Sequence, residues 1–426
     1  MAHFIIDGPK TLRGDYHIQG SKNAATPLIA ATLLINDECI LDNVPRVTDV
    51  EKMVELITSL GAKAVWTDKN QLTINTQNVS LSNMDESGIK SMRSSVLLIG
   101  PLLSRFNEIT IPEPGGCFLG NRPLDTHFAV LQQFGAHIRQ HISKAGKISY
   151  TISAKELKGT TIVLPEFSVT ATENAILLAV YAKGTTTIKL AAGEPHVQNL
   201  ITFLDSAGAK IEEKTGHIVI VKGVSRLHGL AHRVIPDMLE AGTLATAGAL
   251  VGKGMTIHGV STNHLDIVLL KLKEAGVKFE IIENNSALKI LPTKDLRAFK
   301  LQSMPYPGFP TDLQEPFSLL ATQCTGTTMI HDPLFEDRMR HIAELIKMGA
   351  KAIVCDPHRS LITGPSPLHG FEIKSPNIRG GAMLVIAGLI AQGETIIHDV
   401  EHTIDRGYEH FEERLNLLGA GIKRVA

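Results

Sequence analysis

The chain has 426 residues, of which 43% are hydrophobic and 20% charged, with a formal net charge of −1. This length suits two or three ordinary domains, and the balanced charge argues against non-specific nucleic-acid binding, which usually shows a basic excess. The apolar runs fall short of the roughly 20 residues of a membrane-spanning helix, and the first residues do not resemble a signal peptide. We therefore expect a cytoplasmic protein with neither nucleic acid nor membrane as a partner.

The strongest pattern along the chain is a unit that recurs six times: a strand, a break, a one-sided helix, a glycine and another strand. The helix in "VEKMVELITSLGA" has apolar residues at i, i+3/i+4 and i+7. The glycine that closes each helix is expected to adopt the left-handed conformation. The six glycines follow one another at intervals of 68 to 74 residues and are Gly61, Gly135, Gly208, Gly276, Gly349 and Gly419.

Six units of nearly equal length predict an α/β protein with two lobes of three units each. Lobed proteins commonly bind ligands in the cleft between lobes. The chain is expected to cross between lobes in "GVSRLHGLAHRVIPDMLEAGT" and near "IQGSKN". We therefore predict one discontinuous lobe of residues 1–21 plus 234–426, a second lobe of residues 22–233, and an active site in the cleft.

The first candidate site is "YHIQGSKNAATPLIAATLL", in which Lys22 and Asn23 stand where a strand ends and a helix begins. Backbone N–H groups and the helix dipole favour an anion at such a position, and Lys22 adds a positive charge. The segment does not match the phosphate-binding loop G-x-x-x-x-G-K-[ST]. The alternative interpretation is a surface lysine beside a turn.

The second candidate is Cys117, which lies in the glycine- and proline-rich loop "IPEPGGCFLGNRPLD" of the second lobe. A nearby cation such as Arg122 would favour its thiolate, which could exchange protons or act as a nucleophile. The alternative is a bystander thiol. Cys39, Cys324 and Cys355 stand beside apolar strand residues and are expected to behave as small buried hydrophobes.

Asp312 in "YPGFPTDLQEPFSLL" stands at the start of a predicted helix. Either Thr311 or Asp312 caps that helix, or Asp312 faces the cleft and accepts a proton from a substrate hydroxyl. Arginines elsewhere stand where loops meet strands or helices, and planar guanidinium groups suit phosphate and carboxylate. Taken singly, each is most often an exposed ion-pair partner. The charged residues of this and the preceding candidates predict an anion-binding enzyme. The five arginines are Arg93, Arg122, Arg338, Arg379 and Arg406.

At these motifs the chain resembles the enolpyruvyl transferases, and among them the UDP-N-acetylglucosamine 1-carboxyvinyltransferases of peptidoglycan synthesis. The resemblance implies an inside-out α/β barrel of two three-unit lobes. It also implies transfer of enolpyruvate from phosphoenolpyruvate to the 3-hydroxyl of the sugar nucleotide, with release of phosphate and without metal or organic cofactor. It spans the whole chain and rests on "GSKNAA", "MRSS", "PGGCFLGNRPLD", "SVTATEN", "EPHVQNL", "FPTDLQ", "FEDR", "IRGGAMLVIAGL" and "HTIDRGYE".

The same resemblance implies roles for single residues. Cys117 is the loop thiol tied to proton transfer and product release, and the target of epoxide antibiotics such as fosfomycin. Asp312 takes the proton of the sugar hydroxyl or assists its loss, and Asn23 contacts the sugar. Lys22, Arg122 and Arg406 hold phosphoenolpyruvate, with Arg93, Arg338 and Arg379 in support. The uridine-diphosphate site is lined by Arg122, Pro123, Leu124, Asp125, Ser168, Val169 and Leu334.

Three positions depart from the family's pattern. Asn377, which we count among the substrate-binding residues, stands where the family usually has aspartate, and an amide cannot act as a base. Any such duty is then lost or falls to Asp312. Met238 replaces a cation, and Glu166 would repel a diphosphate if it faced the site. These changes leave open a divergent second copy with weak or altered activity, or a transferase with another acceptor.

Overall fold

The computed structural model describes residues 2–115 and 124–425, which fall into two compact units. The first unit contains residues 2–19 and 236–425, and the second contains residues 20–115 and 124–235. The predicted conformation of the six repeat glycines is confirmed, because each has a φ between 85° and 106°. This left-handed region favours glycine and turns the chain from the helix into the next strand.

The chain begins with two strands of the first unit, β1 (His3–Gly8) and β2 (Leu12–His17). It then builds the second unit, in which a 3₁₀ helix, Arg93–Leu98, precedes α4. The helices of this unit are α1 (Lys22–Thr32), α2 (Thr48–Ser59), α3 (Glu86–Ser91), α4 (Ile99–Phe106), α5 (Asp125–Gln133), α6 (Val169–Ala179) and α7 (Pro195–Ser206). Its strands are β3 (Cys39–Asp42), β4 (Lys63–Asp68), β5 (Gln71–Asn75), β6 (Glu108–Pro112), β7 (His137–Ile142), β8 (Ile148–Ser153), β9 (Thr161–Val163), β10 (Thr185–Lys189), β11 (Lys210–Lys214), β12 (Ile218–Lys222) and β13 (Ala231–Arg233).

The rest of the chain completes the first unit. Its helices are α8 (Met238–Val251), α9 (Asp266–Glu274), α10 (Gln314–Thr322), α11 (Arg340–Lys347), α12 (Ile378–Ile390) and α13 (Phe411–Asn416), with 3₁₀ helices at Thr262–His264, Thr311–Leu313, Glu336–Met339 and Ile404–Arg406. Its strands are β14 (Gly252–His258), β15 (Phe279–Ile282), β16 (Ala287–Ile290), β17 (Lys300–Gln302), β18 (Gly326–His331), β19 (Lys351–Asp356), β20 (Arg359–Gly364), β21 (Glu372–Lys374), β22 (Gly393–His398) and β23 (Lys423–Val425).

The described strands form six sheets, three in each unit. Five sheets share one plan, in which a parallel pair of strands is followed by two antiparallel neighbours. In one of these sheets β17 pairs parallel with β18, and β20 pairs antiparallel with both β18 and β19. Among the described strands, the sixth sheet, β6-β8-β7, has no parallel pair. The other orders are β21-β22-β1-β23, β15-β16-β14-β2 and β17-β18-β20-β19 in the first unit, and β11-β12-β10-β9 and β13-β3-β5-β4 in the second.

Each unit has buried helices at its centre and sheets around them. Every residue of α10 is buried, and α12 is buried from its second residue almost to its end. Helices that are apolar on all sides belong in the interior, whereas α2 buries only one face. In the first unit α8, α10 and α12 pack against one another, and in the second α4 packs against α6. The predicted α/β repeat architecture, with helices inside and sheets outside, is confirmed.

The cysteine predictions are confirmed for two of the three described thiols. Cys39 and Cys324 are buried, and burial raises their pKa to about 11 and about 12. The prediction for Cys355 is wrong, because this thiol is exposed. Cys355 lies on β19, the last strand of its sheet, where Ile353 is 66% and Val354 is 44% exposed. In the described part of the chain, no helix is long and apolar enough to cross a membrane.

Candidate active site

Asp312 lies in the 3₁₀ helix that leads into α10 in the first unit. One carboxylate oxygen accepts a hydrogen bond from Nη2 of Arg338, and the other accepts one from Nε of Arg379 at 3.4 Å. The residues at the N-cap positions of the 3₁₀ helix and of α10 make no side-chain capping bond. The Asp312 carboxylate is therefore paired with two arginines, and its role in a site stays a prediction.

The three members of this cluster differ in exposure. The side chains of Arg338 and Arg379 are 2% and 3% exposed, whereas that of Asp312 is 28% exposed. Arg338 comes from the 3₁₀ helix Glu336–Met339, and Arg379 is the second residue of α12. The carboxylate is therefore the accessible part of the cluster, and two buried guanidinium groups fix its orientation.

Arg379 is held by further groups of the first unit. Its Nη2 lies 3.7 Å from Oδ2 of Asp237, and its guanidinium carbon lies 5.1 Å from the centre of the Tyr408 ring. Burial opposes the charge of Arg379, but Tyr408, Asp237 and Asp312 together raise its pKa above the usual value. Arg379 is therefore a firmly charged residue. Arg406 ends the 3₁₀ helix Ile404–Arg406, two residues before Tyr408.

Asn377 is the N-cap residue of α12. Its Oδ1 accepts hydrogen bonds from the backbone N–H groups of Arg379 and Gly380, both at 2.9 Å. Its Nδ2 donates to Oε1 of Glu315 at 2.9 Å. An amide at this position therefore performs a structural task, since it caps the helix that carries Arg379 and also binds a carboxylate.

That carboxylate, Glu315, is fully buried in α10. Its Oε1 also lies 3.6 Å from Nη1 of Arg338. Burial raises the pKa of Glu315 to about 7, against the opposing attraction of Arg338 and the hydrogen bond from Asn377. The cluster around Asp312 therefore also contains Glu315, a carboxyl group whose pKa lies near neutral pH.

The loop after β18 carries Leu334, which was predicted to line the nucleotide site. Its side chain is 38% exposed, and its backbone N–H donates to Oδ1 of Asp332 at 2.9 Å. The other carboxylate oxygen of Asp332 accepts from the hydroxyl of Thr311, the residue before Asp312. The buried Asp332 thus ties the Leu334 loop to the segment that carries Asp312.

In the second unit, α1 begins at Lys22 as predicted, and Ser21 caps it. Nζ of Lys22 lies 2.9 Å from Oδ2 of Asp49, and the lysine side chain is 16% exposed. Asn23 is half-buried. Gly20 is needed at this turn, because a Cβ there would lie 1.7 Å from the carbonyl oxygen of Asn43. The backbone thus fixes the entry to α1, and an ion pair holds the lysine.

Arg93 begins the 3₁₀ helix before α4 and acts on a buried histidine of the second unit. Burial, with the charge of Arg93 as the second cause, lowers the pKa of His127 to about 3. Nε2 of His127 lies 3.1 Å from Oγ1 of Thr170, and its Nδ1 lies 3.3 Å from Nδ2 of Asn174. A neutral imidazole therefore connects α5 to the first turns of α6.

Ser168 and Val169 stand at the start of α6. Ser168 is the N-cap residue, and its hydroxyl accepts from the backbone N–H of Ala171 at 3.4 Å. The exposed Glu166 accepts a hydrogen bond from the hydroxyl of Thr126 at 2.7 Å. Its carboxylate is thereby anchored to α5.

The remaining predicted residues surround the start of α5. Leu124 is 5% exposed and packs in the hydrophobic core, whereas the exposed Asp125 is the first residue of α5. Among the described residues, no group of three or more His, Cys, Asp or Glu side chains is placed to hold a metal ion. Three predicted site residues lie outside the described ranges: Cys117, Arg122 and Pro123.

Sequence reasoning missed several residues that contact the predicted ones. Glu315 had a usable signal, because it is a charge within the otherwise uncharged segment "LQEPFSLL" of a buried helix. Asp237 and Tyr408 stand inside the motifs "PDMLE" and "TIDRGYE", from which only neighbouring residues were selected. Asp49 and His127 carried no local signal, since only the fold brings them to Lys22 and Arg93.

Comparisons with solved structures establish the fold. The enolpyruvyl transferase NikO from Streptomyces tendae superposes with a TM-score of 0.89 at 23% identity, covering 100% of this chain and 99% of that one. EPSP synthase from Acinetobacter baumannii superposes with a TM-score of 0.76 at 19% identity, and both chains are covered completely.

Comparisons of sequence are more specific. The family model of EPSP synthase (3-phosphoshikimate 1-carboxyvinyltransferase) matches residues 6–415. The UDP-N-acetylglucosamine 1-carboxyvinyltransferase of Bradyrhizobium diazoefficiens is 40% identical over 99% of this chain and 98% of its own. The enzyme of the same name from Helicobacter pylori is 39% identical, with the same coverage. The chain therefore belongs to the EPSP synthase family and, within it, to the UDP-N-acetylglucosamine 1-carboxyvinyltransferases.

Proposed function

We propose that this protein transfers the enolpyruvyl group of phosphoenolpyruvate to the 3-hydroxyl of UDP-N-acetylglucosamine and releases phosphate. One observation carries the proposal. The Asp312 carboxylate is fixed by Arg338 and Arg379, in a chain that is 40% identical over nearly its full length to an enzyme named for this reaction. Peptidoglycan synthesis is the pathway that uses this product.

The proposed chemistry follows the family's addition–elimination course. A proton adds to the methylene carbon of phosphoenolpyruvate, and the sugar oxygen forms a bond to C2 as its own proton leaves. The resulting ketal loses phosphate and one methyl proton, which restores the double bond. Asp312 is the proposed acceptor of the hydroxyl proton, because it is the accessible carboxylate of its cluster.

Arg379 offers a further contact to an anionic substrate. Its Nη1 is buried and has no hydrogen-bond partner among the described residues. A buried donor without a partner is unfavourable, so an oxygen of phosphate or carboxylate placed there would satisfy it. The firmly charged guanidinium would at the same time stabilise the charge that develops during transfer.

In the second unit, Lys22 is the proposed phosphoenolpyruvate ligand. The start of α1 offers backbone N–H groups to an anion, and Lys22 is held beside it by Asp49. We propose the start of α6, with Ser168 and Val169, as part of the nucleotide site. The roles of Cys117 and Arg122, and the cytoplasmic location, stay predictions.

The first experiment measures phosphate release from phosphoenolpyruvate with UDP-N-acetylglucosamine, with each substrate omitted in turn. Release should require both substrates. A parallel reaction with 3-phosphoshikimate as the acceptor tests the alternative family activity. No release with the sugar nucleotide from folded protein would refute the proposal, and release with 3-phosphoshikimate alone would replace it with the alternative.

The second experiment replaces Asp312 by Asn, which keeps the shape and removes the proton acceptor. A loss of kcat of about 10²–10⁴-fold is expected for a general base. The matched control is Asp295→Asn, since Asp295 is exposed and should retain wild-type kcat. Wild-type turnover by Asp312→Asn would remove the assigned role of Asp312 and leave the overall reaction intact.

The third experiment tests the thiol of Cys117 by substitution rather than by alkylation alone. Alkylating reagents would also modify Cys355, which is exposed, whereas Cys39 and Cys324 are buried. Inactivation by the reagent should therefore persist in Cys355→Ser and disappear in Cys117→Ser. Loss of sensitivity in Cys355→Ser instead would show that the reagent acts at β19.

A further inference from the structure

Glu315 is a buried carboxylate that the reaction as described above does not use. It lies three residues after Asp312, and its side chain is 0% exposed. Oε1 accepts the hydrogen bond of Asn377 at 2.9 Å and lies 3.6 Å from Nη1 of Arg338. Oε2 has no hydrogen-bond partner among the described residues. The whole carboxylate is thus enclosed between α10, α12 and the 3₁₀ helix of Arg338.

Arg338 is shared by two carboxylates. Its Nη2 donates to Asp312, and its Nη1 faces Glu315 at 3.6 Å. The backbone carbonyl of Arg338 is also bound, by Nε2 of Gln314 at 2.9 Å and by the His341 ring at 2.8 Å. Because a guanidinium group is planar, an electrostatic partner on Nη1 restricts the direction in which Nη2 points at Asp312.

Asn377 joins the same network from the other side. It caps α12 through Oδ1, and through Nδ2 it holds Glu315. A Cβ placed on Gly380 would come 3.4 Å from Oε2, so the second oxygen of Glu315 faces the first turn of α12. The charged groups that face Glu315 are therefore Arg338, Arg379 and Asp312, together with the partial positive charge of the helix start.

The negative charge of Glu315 is not needed for packing. Glutamine would fill the same space, and its carbonyl oxygen would still accept the Asn377 hydrogen bond. Burial of the ionised group works against folding, as the raised pKa of Glu315 indicates. The ionised Glu315 destabilises the fold, and it shares the guanidinium group of Arg338 with the proposed base. Such a charge is typical of a residue that is kept for function rather than for stability.

We propose that Glu315 is a positioning residue of the transfer reaction, which holds Arg338 in the orientation that fixes Asp312 and is itself held by Asn377. The inference rests on the proposed function. It also gives Asn377 a role, because an aspartate there would face the Glu315 carboxylate at hydrogen-bond distance. Two carboxylates so close cannot both be ionised. Asn377 is in this view the partner that a carboxylate at position 315 requires.

The test is an exchange of the two groups. Glu315→Gln and Asn377→Asp each disturb the pair, whereas the double variant E315Q/N377D restores one amide and one carboxylate across the same contact. Aspartate also caps helices, so the start of α12 is retained. Glu274→Gln is the matched control, because Glu274 lies in the same unit with a side chain that is 40% exposed.

Steady-state phosphate release is measured for all five proteins at pH 8, together with their melting temperatures. We expect Glu315→Gln to lower kcat roughly 10- to 100-fold, the scale of a small misplacement of a reacting group. Its KM values should change by less than about threefold, and its melting temperature should not fall. Asn377→Asp should also lose kcat, and the double variant should recover at least about tenfold over Glu315→Gln.

Three results would overturn the inference while wild-type turnover stands. These are an unchanged kcat in Glu315→Gln, a fall of kcat and melting temperature together in that variant, and a double variant no better than the worse single one. Absence of turnover in the wild type would instead refute the proposed function, and the positioning role would fall with it.

Discussion

The pH dependence of stability offers a direct test of the buried Glu315 carboxyl group. The perturbation is Glu315→Gln, which removes the titrating group and keeps an acceptor for the 2.9 Å hydrogen bond from Asn377. Burial raises the pKa of Glu315 from 4.5 to about 7. Between these two values the folded protein holds a proton that the unfolded chain releases. The stability that this proton contributes is fully present below pH 4.5 and is lost as the pH rises through about 7.

The magnitude follows from the size of this displacement. Each pH unit between the two pKa values corresponds to about 1.4 kcal/mol, so ionising Glu315 costs the fold about 2–3 kcal/mol between pH 5 and pH 8. The variant has no such cost. For a unit of about 200 residues, this difference corresponds to roughly 5–10 °C in melting temperature. The quantity to compare is how the difference in melting temperature between the variant and the wild type changes with pH. The size of that difference at a single pH also contains a constant contribution from the new amide nitrogen.

Differential scanning calorimetry at pH 5, 6, 7 and 8 is the appropriate assay. Fluorescence would report the wrong part of the molecule, since the single tryptophan, Trp66, lies on β4 of the second unit. The melting temperature of Glu315→Gln relative to wild type should rise steadily across this range, whereas that of the Glu274→Gln control should stay level. A difference for Glu315→Gln that is the same at pH 5 and pH 8 would refute the assignment of a buried, neutral-range carboxyl group.

Two further predictions concern the helix starts that carry the cations. Gly20→Ala places a Cβ 1.7 Å from the backbone oxygen of Asn43, so we expect a loss of at least about 3 kcal/mol in unfolding free energy. Calorimetry measures this loss, and a stability within about 1 kcal/mol of wild type would contradict the geometry. Arg379→Lys keeps the charge but cannot pair with both Asp237 and Asp312; kcat should fall at least about tenfold in the phosphate-release assay, and an unchanged kcat would show that charge alone suffices.

Much of the fold could be predicted because its signals are local and repeated. The left-handed glycine at the end of each repeat helix follows from backbone sterics that operate over a few residues, and all six are found in that conformation. The start of α1 at Lys22 was readable for the same reason. Cys355 was misassigned because its neighbours on β19 are apolar, and only the sheet order shows that β19 lies at an edge.

The candidate site was predictable in part. The motifs supplied Asp312, Arg338 and Arg379, and these three meet in the first unit. The sequence could not show that Asp49 pairs with Lys22 or that His127 lies near the charge of Arg93. Such pairs join residues far apart in the chain, and no local pattern marks them.

At position 377 the residue type and the tertiary structure each account for a different property. The residue type alone shows that this side chain is an amide, which cannot act as a base. What the amide binds follows from the fold, because the packing of α12 against α10 brings Asn377 to Glu315 across 62 positions of the chain. Periodicity and turn chemistry act over a few residues, so the sequence determined the repeats and the helix ends. The ionisation of a buried carboxyl group depends on its whole surroundings, and those exist only once the helices have packed.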